Sequence, residues 1–370
     1  MVSSLKATRQ AVSISAVALA LGLASCAPST TNAPSAVNSP GASPVASSAA
    51  GGTISINGAG ATAPEPLYQR WFAEYKNQNP NVQISYQGVG SGAGIKQFNA
   101  GTVDFGATDA PLKEDERKAY PAARGKLIQI PSTGLFVVFA YNLDGVDDLK
   151  LSRESFCGIA DGSIKTWNDA KIAKDNPGAK LSNDPVVFVY RSDGSGTTSI
   201  FTHHLEKACP NWKAGAGKTI AWPTGTGAKG NPGVTAQIQQ TKGSIGYTEY
   251  SFAKENGLKM ATLQNKAGEF ITPSPDAAAK ALEGVTVGED LSVKVPDPAA
   301  KGAYPIVSLT YLLLYGQYDQ PQKAETLKKV VTWALKDGKQ FTTDLGYIPL
   351  PDTLISKVSS AIDTIKVASK

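Results

Sequence analysis

The stretch TISINGAGATAPEPLYQRWFAEY (53–75) joins a strand pattern, a loop of small residues and an amphipathic helix pattern. Alternating apolar residues in TISIN predict a strand, and the four-residue spacing of Leu67, Trp71 and Tyr75 predicts the apolar face of a helix. The loop GATAPEP (60–66) supplies small residues, one threonine and two prolines, which suit neither a core nor a catalytic centre. A strand that enters a helix through such a loop indicates an α/β protein, and the loop itself needs another role.

Further strand patterns alternate with helical patterns along the chain. They lie at 82–87, 103–108, 135–142, 185–191 and 244–250. The late run YPIVSLTYLLLY (304–315) is strand-like and too short to span a membrane, and 324–347 reads as one amphipathic helix. This alternation predicts an α/β architecture with largely parallel sheets.

The N-terminus predicts export. Residues 11–25 form an uncharged small-apolar run that ends at Cys26, which is typical of a signal peptide (1–26) rather than a membrane-spanning helix. The tetrapeptide LASC resembles a bacterial lipobox, which implies cleavage before Cys26 and lipid on its sulfur; an ordinary cleaved signal is the alternative. Residues 27–52 carry no charge and no aromatic residue, so we expect a disordered Ser/Ala/Pro-rich tether.

Charge and cysteine content narrow the class of protein. Removing 1–26 takes away two of 36 basic residues and none of 31 acidic ones, so the net charge falls from +5 to +3. This charge is too small and too dispersed to indicate nucleic-acid binding. Cys157 and Cys209 are then the only cysteines, and an even pair in an exported chain predicts a disulfide, with two buried thiols as the alternative.

Three strand-to-helix junctions share one design. They are NGAGATAPEP (57–66), QGVGSGAGIKQF (87–98) and RSDGSGTTSIF (191–201). Each places free backbone N–H groups, a hydroxyl and the positive end of a helix dipole together, which favours an anion. One such loop usually only caps a helix, but three loops and an arginine at the start of the third predict that they converge on one anion.

Nucleotide-binding motifs are incomplete. GAGATA (58–63) matches the dinucleotide fingerprint, but the next strand ends without the acidic residue that would hold a ribose. WKAGAGKT (212–219) has Trp212 where a P-loop needs glycine, so Lys218 and Thr219 are assigned to a surface loop. We therefore expect no nucleotide cofactor.

Catalytic motifs are incomplete too. Around Ser195, Asp193 replaces the first glycine of a nucleophile elbow. His203 and His204 follow on the helix, where a solvated or half-buried pair is the ordinary outcome, although a base there is not excluded. Because the sequence shows no metal-ligand spacing and no carboxylate pair, we expect no metal, no cofactor and no enzyme.

The chain resembles the phosphate-binding proteins of bacterial phosphate ABC transporters over nearly all of 53–370. The motifs that carry the resemblance are GAGATAPEP (58–66), YQGVGSGAGIKQF (86–98), VDFGATDAPL (103–112), RSDGSGTT (191–198), GSIGYTEY (243–250) and LGYIPLP (345–351). The resemblance implies a two-lobed, type II periplasmic-binding-protein fold that closes around one phosphate in the cleft between the lobes.

The resemblance also implies a set of phosphate-binding residues, drawn from the matching motifs. They are Thr62, Ala63, Ser91, Asp109, Arg191, Ser195, Gly196 and Thr197. Asp193 is implied as the partner of Arg191. Relatives often carry phenylalanine at the position of Ala63, so the apolar wall of the pocket is expected to be smaller here.

Asp109 and Arg191 have physical reasons for these roles. Phosphate near neutral pH carries at least one proton and sulfate none, so a buried Asp109 carboxylate accepts a hydrogen bond from phosphate and repels sulfate. On local sequence Asp109 could instead cap the helix in APLKEDERKAY (110–120), and Arg191 could form a surface ion pair with Asp193. Arg191 lies at a strand end beside a Gly/Ser loop, where its guanidinium group is suited to bind a tetrahedral oxyanion.

We therefore expect an extracytoplasmic, lipid-anchored monomer that binds phosphate and delivers it to ABC permease subunits. One lobe would comprise 53–140 plus 304–370 and the other 141–303, with hinge crossings in FVVFAYN (136–142) and YPIVSLT (304–310). The membrane contact would be made by the N-terminal lipid only. The alternatives are a binding protein for sulfate or molybdate and an exported phosphatase or serine hydrolase that uses Ser195.

Overall fold

The computed structural model describes residues 52–367. The predicted signal peptide with Cys26, and the predicted tether except its last residue, lie outside the described residues. Among the helices that are described, none is long and apolar enough to cross a membrane.

Strands and short helices alternate from Ile54 onward. The strands are β1 (Ile54–Gly60), β2 (Val82–Gly88), β3 (Phe105–Thr108), β4 (Ile128–Asn142), β5 (Lys150–Leu151), β6 (Val187–Arg191), β7 (Thr226–Ala228), β8 (Ser244–Glu249), β9 (Lys259–Met260), β10 (Thr262–Gln264), β11 (Phe270–Ile271), β12 (Val307–Leu314), β13 (Gln317–Tyr318) and β14 (Lys366–Val367). Every strand predicted from the sequence is present, and most of them lie within about three residues of the expected ends. β4 is the exception, because it begins at Ile128 rather than at the predicted residue 135.

The helices connect these strands and cover the sheet. They are α1 (Glu65–Gln78), α2 (Ser91–Asn99), α3 (Glu114–Lys118), α4 (Arg153–Asp161), α5 (Ala170–Asp175), α6 (Gly196–Ala208), α7 (Gly230–Gln240), α8 (Tyr250–Glu255), α9 (Pro275–Leu282), α10 (Pro321–Leu335), α11 (Lys339–Asp344) and α12 (Asp352–Asp363). The predicted apolar face of α1 is confirmed, because Leu67, Trp71 and Tyr75 are buried.

One long mixed sheet organises the described residues, in the order β2-β1-β3-β12-β4-β8-β6-β7, with β9 also paired to β4. β1 is parallel to β2 and β3, and β6 is parallel to β7 and β8. At the centre, β12 is antiparallel to β3 and β4, and β4 is antiparallel to β8. The prediction of largely parallel sheets is therefore wrong for the centre, where the chain returns through β12 from a distant part of the sequence.

The strand β4 belongs to both parts of this sheet. Residues 128–136 pair with β12, and 137–142 pair with β8. We call β2, β1, β3 and β12 the first half-sheet, and β8, β6 and β7 the second half-sheet. All of β4 except its last residue is buried, so this strand is a buried connection between the two halves.

The predicted single helix over 324–347 is wrong, because the structure has α10 and α11 separated by a turn. The break lies at Gly338, whose carbonyl accepts a hydrogen bond from the Trp71 indole N–H at 2.9 Å. Glycine is a poor helix former, and a side chain here would contact the Ala334 carbonyl oxygen at 2.7 Å. The chain therefore turns where α1 packs against it.

A disulfide joins Cys157 in α4 to Cys209 after α6, with a Cα–Cα distance of 5.5 Å. It closes a loop over a sequence separation of 52 residues. The bond fixes the C-terminal end of α6 against α4. The opposite end of α6 begins at the third predicted anion loop.

Two glycines let α2 lie directly on β1. A Cβ atom on Gly94 would be 2.3 Å from the Cα atom of Gly60 and 2.9 Å from the Ala59 carbonyl oxygen. The Gly60 carbonyl oxygen also accepts the N–H groups of Val89 and Gly90, at 3.0 and 2.8 Å. The first two predicted anion loops are thus held against each other by backbone contacts.

Gly94→Ala is expected to lower the free energy of unfolding by roughly 2 kcal/mol or more, because the new methyl group meets backbone that cannot move aside. Gly233→Ala is the matched control: it lies in helix α7, and its Cβ would meet no atom closer than 3.7 Å. There we expect no loss, or a gain of up to about 1 kcal/mol. Urea denaturation measures both, and equal effects would contradict the close-packing account.

Candidate anion-binding site

The three predicted loops meet between the half-sheets. The first two follow β1 and β2 in the first half-sheet, and the third follows β6 in the second. Gly92 N–H donates to the Gly194 carbonyl oxygen at 2.8 Å, and Gly196 N–H donates to Ser91 Oγ at 3.1 Å. Loops far apart in the sequence therefore form one site.

Arg191, the last residue of β6, provides a buried positive charge. Its Nε and Nη2 donate to the two carboxylate oxygens of Asp193 at 2.8 and 2.7 Å, and Nη1 donates to Thr197 Oγ1 at 3.3 Å. Burial alone would raise the pKa of Asp193, but the hydrogen bonds and charge of Arg191 outweigh it and hold that pKa below its usual value. Bidentate pairing fixes the guanidinium plane, and two of its five N–H groups stay available for a ligand.

Asn231 orients two threonine hydroxyl groups at this site. Its backbone N and Nδ2 donate to Thr62 Oγ1 at 3.2 and 3.1 Å, and Nδ2 also donates to Thr197 Oγ1 at 3.4 Å. With the bond from Arg191, each threonine oxygen accepts two N–H groups. A hydroxyl has two lone pairs and one hydrogen, so each threonine is left with an O–H group to donate.

Ser91 follows the same rule. Its Oγ accepts the N–H of Gly196 at 3.1 Å and the N–H of Asp109 at 3.3 Å, so its own hydrogen is left to donate. This contact uses the backbone N–H of Gly196, a residue that the resemblance implied as phosphate-binding. In the described structure that amide supports Ser91.

Ser195 begins helix α6 as its N-cap. Its Oγ accepts the Thr198 N–H at 3.0 Å, and its own N–H donates to the Lys218 carbonyl oxygen at 2.8 Å. The 13 residues of α6 place a positive helix end at this point. Ala63, in the loop that follows β1, is buried, and its carbonyl accepts the Tyr347 hydroxyl at 2.7 Å.

Asp109 places a carboxyl group against these donors. It follows β3, is 1% exposed, and its Oδ1 accepts the Thr310 hydroxyl at 2.9 Å. A Cβ on Gly196 would lie 2.6 Å from Asp109 Oδ2, so the carboxylate faces the start of α6. Burial raises the pKa of Asp109 to about 6, against the lowering effects of the Thr310 hydrogen bond and of the charges on Arg191 and Lys218.

The helix-cap alternative for Asp109 is wrong. The helix that follows begins at Glu114, and its N-cap is Lys113 rather than Asp109. The surface ion-pair alternative for Arg191 is wrong as well, since the Arg191 side chain is 1% exposed.

Several site residues were missed by the sequence analysis. Lys218, assigned to a surface loop, is buried, and its Nζ binds the Glu116 carboxylate at 2.9 and 2.7 Å. Asn231 lies in the Gly-rich segment GNPG (230–233), which begins α7 shortly after β7 ends and forms a fourth strand-to-helix junction that could have been recognised. Thr310 carries no local signal, because it reaches Asp109 from a strand about 200 residues away.

The described residues do not bring a base to Ser195. His203 Nδ1 lies 2.6 Å from the Ser199 carbonyl oxygen, and His204 Nδ1 lies 2.8 Å from the Pro296 carbonyl oxygen. His204 is buried, whereas His203 is exposed. Within 52–367 there is also no group of three or more metal-ligating side chains.

Comparisons with known proteins point to one group. A family model described as PBP superfamily domain matches residues 45–337. The phosphate-binding protein PstS of Pasteurella multocida (strain Pm70) is 41% identical over 313 residues, which cover 82% of this chain and 89% of that protein. PstS of Methanocaldococcus jannaschii is 38% identical over 339 residues, with 85% and 87% covered.

A solved structure of a high affinity periplasmic phosphate-binding protein, bound with phosphate at pH 8.5, is also similar. It aligns with a TM-score of 0.70 and 25% identity, and covers 83% of this chain and 93% of that one. With the mixed sheet, these matches confirm the predicted two-lobed α/β fold. The individual ligand residues and the lobe bounds stay predictions.

Asp109→Asn is expected to stabilise the ligand-free protein at pH 8, by up to about 3 kcal/mol. Because the folded state raises the pKa of Asp109 from 3.8 to about 6, ionisation costs stability as the pH rises through 6. The gain should disappear below about pH 4, where the carboxyl is neutral in both states. Thermal unfolding across pH measures it, with the exposed Asp337→Asn as control; a gain that does not vary with pH would contradict the assignment.

Proposed function

Since the chain belongs to the PBP superfamily and, within it, to the PstS phosphate-binding proteins, we propose that it binds inorganic phosphate outside the cytoplasm. It then delivers the anion to the permease of an ABC importer. The observation that carries this proposal is the set of hydroxyl groups whose lone pairs are already filled by protein N–H groups. One of them, Thr197, contacts the buried Arg191, and all of them can act only as donors, which is what an oxyanion requires.

The proposed ligand set is the one implied by the sequence. The Thr62, Ser91 and Thr197 hydroxyls and the Arg191 guanidinium donate to phosphate oxygens. Ser195, Gly196 and Ala63 line the same space, and the start of α6 adds the positive end of its dipole. These donors are held in place before the ligand arrives, so little ordering is needed on binding.

Asp109 gives the site its preference for phosphate. An ionised, buried carboxylate accepts a hydrogen bond from the O–H group that phosphate keeps near neutral pH, but it can only repel sulfate. A repelled charge in a site removed from water costs several kcal/mol, which corresponds to roughly a thousandfold or more in affinity. This residue favours phosphate over sulfate or molybdate as the ligand.

We propose a receptor without a catalytic step. The relatives in these comparisons are named as binding proteins. Ser195 Oγ is engaged as a helix cap, and within the described residues both histidine side chains bind carbonyl oxygens away from it. These features do not support a phosphatase or hydrolase that uses Ser195.

We further propose that the protein is a monomer held at the outer face of the membrane by lipid on Cys26. The lobes would be 53–140 plus 304–370 and 141–303, since β4 and β12 both run through the centre of the sheet. The change of pairing partner within β4, between Phe136 and Val137, supports a crossing in this region. Closure would bring the two half-sheets together on the anion.

The selectivity of the site should depend on pH. As the pH falls below about 6, the Asp109 carboxyl gains a proton and can donate to sulfate, so sulfate should compete with phosphate at least tenfold better at pH 5 than at pH 8. In Asp109→Asn this pH dependence should be lost, with sulfate competing at both values. Competition calorimetry measures it; unchanged sulfate exclusion in Asp109→Asn would remove the proposed role.

Cys26→Ser is expected to abolish labelling with radioactive palmitate in the bacterial host and to release the protein from the membrane fraction. The sulfur of Cys26 is the proposed lipid attachment point, and the described helices offer no other anchor. Fractionation and labelling of both forms in parallel measure the effect. Equal membrane association would show that another segment holds the protein there.

A further inference from the structure

Asn231 is a buried amide at the point where the two half-sheets meet. It is the second residue of α7 and is 0% exposed. Thr62, which it contacts, follows β1 of the first half-sheet, whereas Thr197 lies in the first turn of α6, after β6 of the second. One side chain therefore bonds to hydroxyl groups from both halves.

The orientation of the Asn231 side-chain amide is fixed by the contacts of its oxygen atom. Its Oδ1 accepts the Thr248 hydroxyl and the Glu249 backbone N–H, each at 3.2 Å. A backbone N–H is an unambiguous donor, so the atom that faces it must be the oxygen. Nδ2 then has to face the two threonines as a donor.

From this geometry we infer that Asn231 is a positioning residue, which turns the Thr62 and Thr197 hydroxyl hydrogens toward the anion when the half-sheets meet. The inference rests on the proposed function and deepens it. Because Asn231 donates to both oxygens, neither hydroxyl can satisfy itself by donating to Asn231. Each hydrogen is then left for a ligand oxygen.

Loss of the Asn231 donors has two consequences. In Asn231→Ala the backbone N–H bond to Thr62 remains, but the other lone pair of Thr62 Oγ1 loses its donor, so the hydroxyl hydrogen can turn away from the ligand. The side-chain contact between the half-sheets is also lost. Both effects destabilise the phosphate-bound protein more than they slow the association of phosphate. The dissociation rate of phosphate should therefore rise. We expect Asn231→Ala to raise the dissociation constant for phosphate by roughly 10- to 100-fold, mainly through the dissociation rate.

A double-mutant cycle distinguishes positioning from general support. If Asn231 acts through Thr62, much of its effect should be missing in Thr62→Val, which has no hydroxyl to orient. The double variant should then bind at least about tenfold more tightly than the product of the two single losses predicts. Calorimetry and stopped-flow dissociation on the full chain, stripped of carried-over ligand, measure this with inorganic phosphate.

Asn231→Asp is the second variant, in case Asn231→Ala does not fold. It keeps the shape, the acceptor for Thr248 and Glu249, and the backbone N–H bond to Thr62, but removes both Nδ2 donor hydrogens. Its carboxylate would accept the Thr62 hydrogen and turn it from the anion, so the loss should exceed that of Asn231→Ala. The excess should shrink in the Thr62→Val background.

Asn265→Ala is the matched control. Asn265 is equally buried, and its side chain bonds the Ala303 carbonyl oxygen at 3.2 Å and the Glu269 N–H at 2.9 Å. This substitution should lower the melting temperature and leave the phosphate dissociation constant within about twofold.

Multiplicative losses in the cycle, with tight binding by the unmutated chain, would overturn the inference alone. No phosphate binding by the unmutated chain would overturn the proposed function and the inference with it.

Discussion

Hydroxyl groups whose lone pairs are already occupied are the feature on which this site depends. An anion taken out of water needs donors that are turned toward it, and a free hydroxyl can turn either way. Here the Thr62, Ser91 and Thr197 oxygens each accept two N–H groups from the protein. Their hydroxyl hydrogens are left to donate, so the site can bind hydrogen-bond acceptors without reorganising.

The charges around these donors are balanced rather than simply positive. Arg191 is paired by Asp193, and Lys218 is paired by Glu116, so neither cation is buried alone. Asp109 is the exception, because its only side-chain hydrogen bond within the described residues comes from the neutral Thr310 hydroxyl. Burial at this position raises the pKa of Asp109. Once ionised, its carboxylate accepts a hydrogen bond from a protonated oxyanion and repels a fully ionised one, so it discriminates between the two.

The sequence predicts the strands, the α1 face and the three anion loops, because each is encoded locally. A Gly/Ser/Thr loop between a strand and a helix can be recognised from a segment of about ten residues. It does not predict the antiparallel centre of the sheet, the break at Gly338 or the burial of Lys218, since these depend on distant partners: β12 for β4, Trp71 for Gly338, and Glu116 for Lys218. Thr310 was missed for the same reason. Asn231 lies in a Gly-rich junction that is visible locally, but its contacts with Thr62 and Thr197 depend on the fold.

The most direct test of the account is calorimetric titration of residues 53–370, unfolded and refolded to remove carried-over ligand, with phosphate and then with sulfate at pH 8. The account predicts tight one-to-one binding of phosphate that excess sulfate does not displace. Equal binding of both anions would contradict the role of the Asp109 carboxylate. No heat with phosphate, from protein shown to be folded, would contradict the central claim that these oriented donors form a phosphate site.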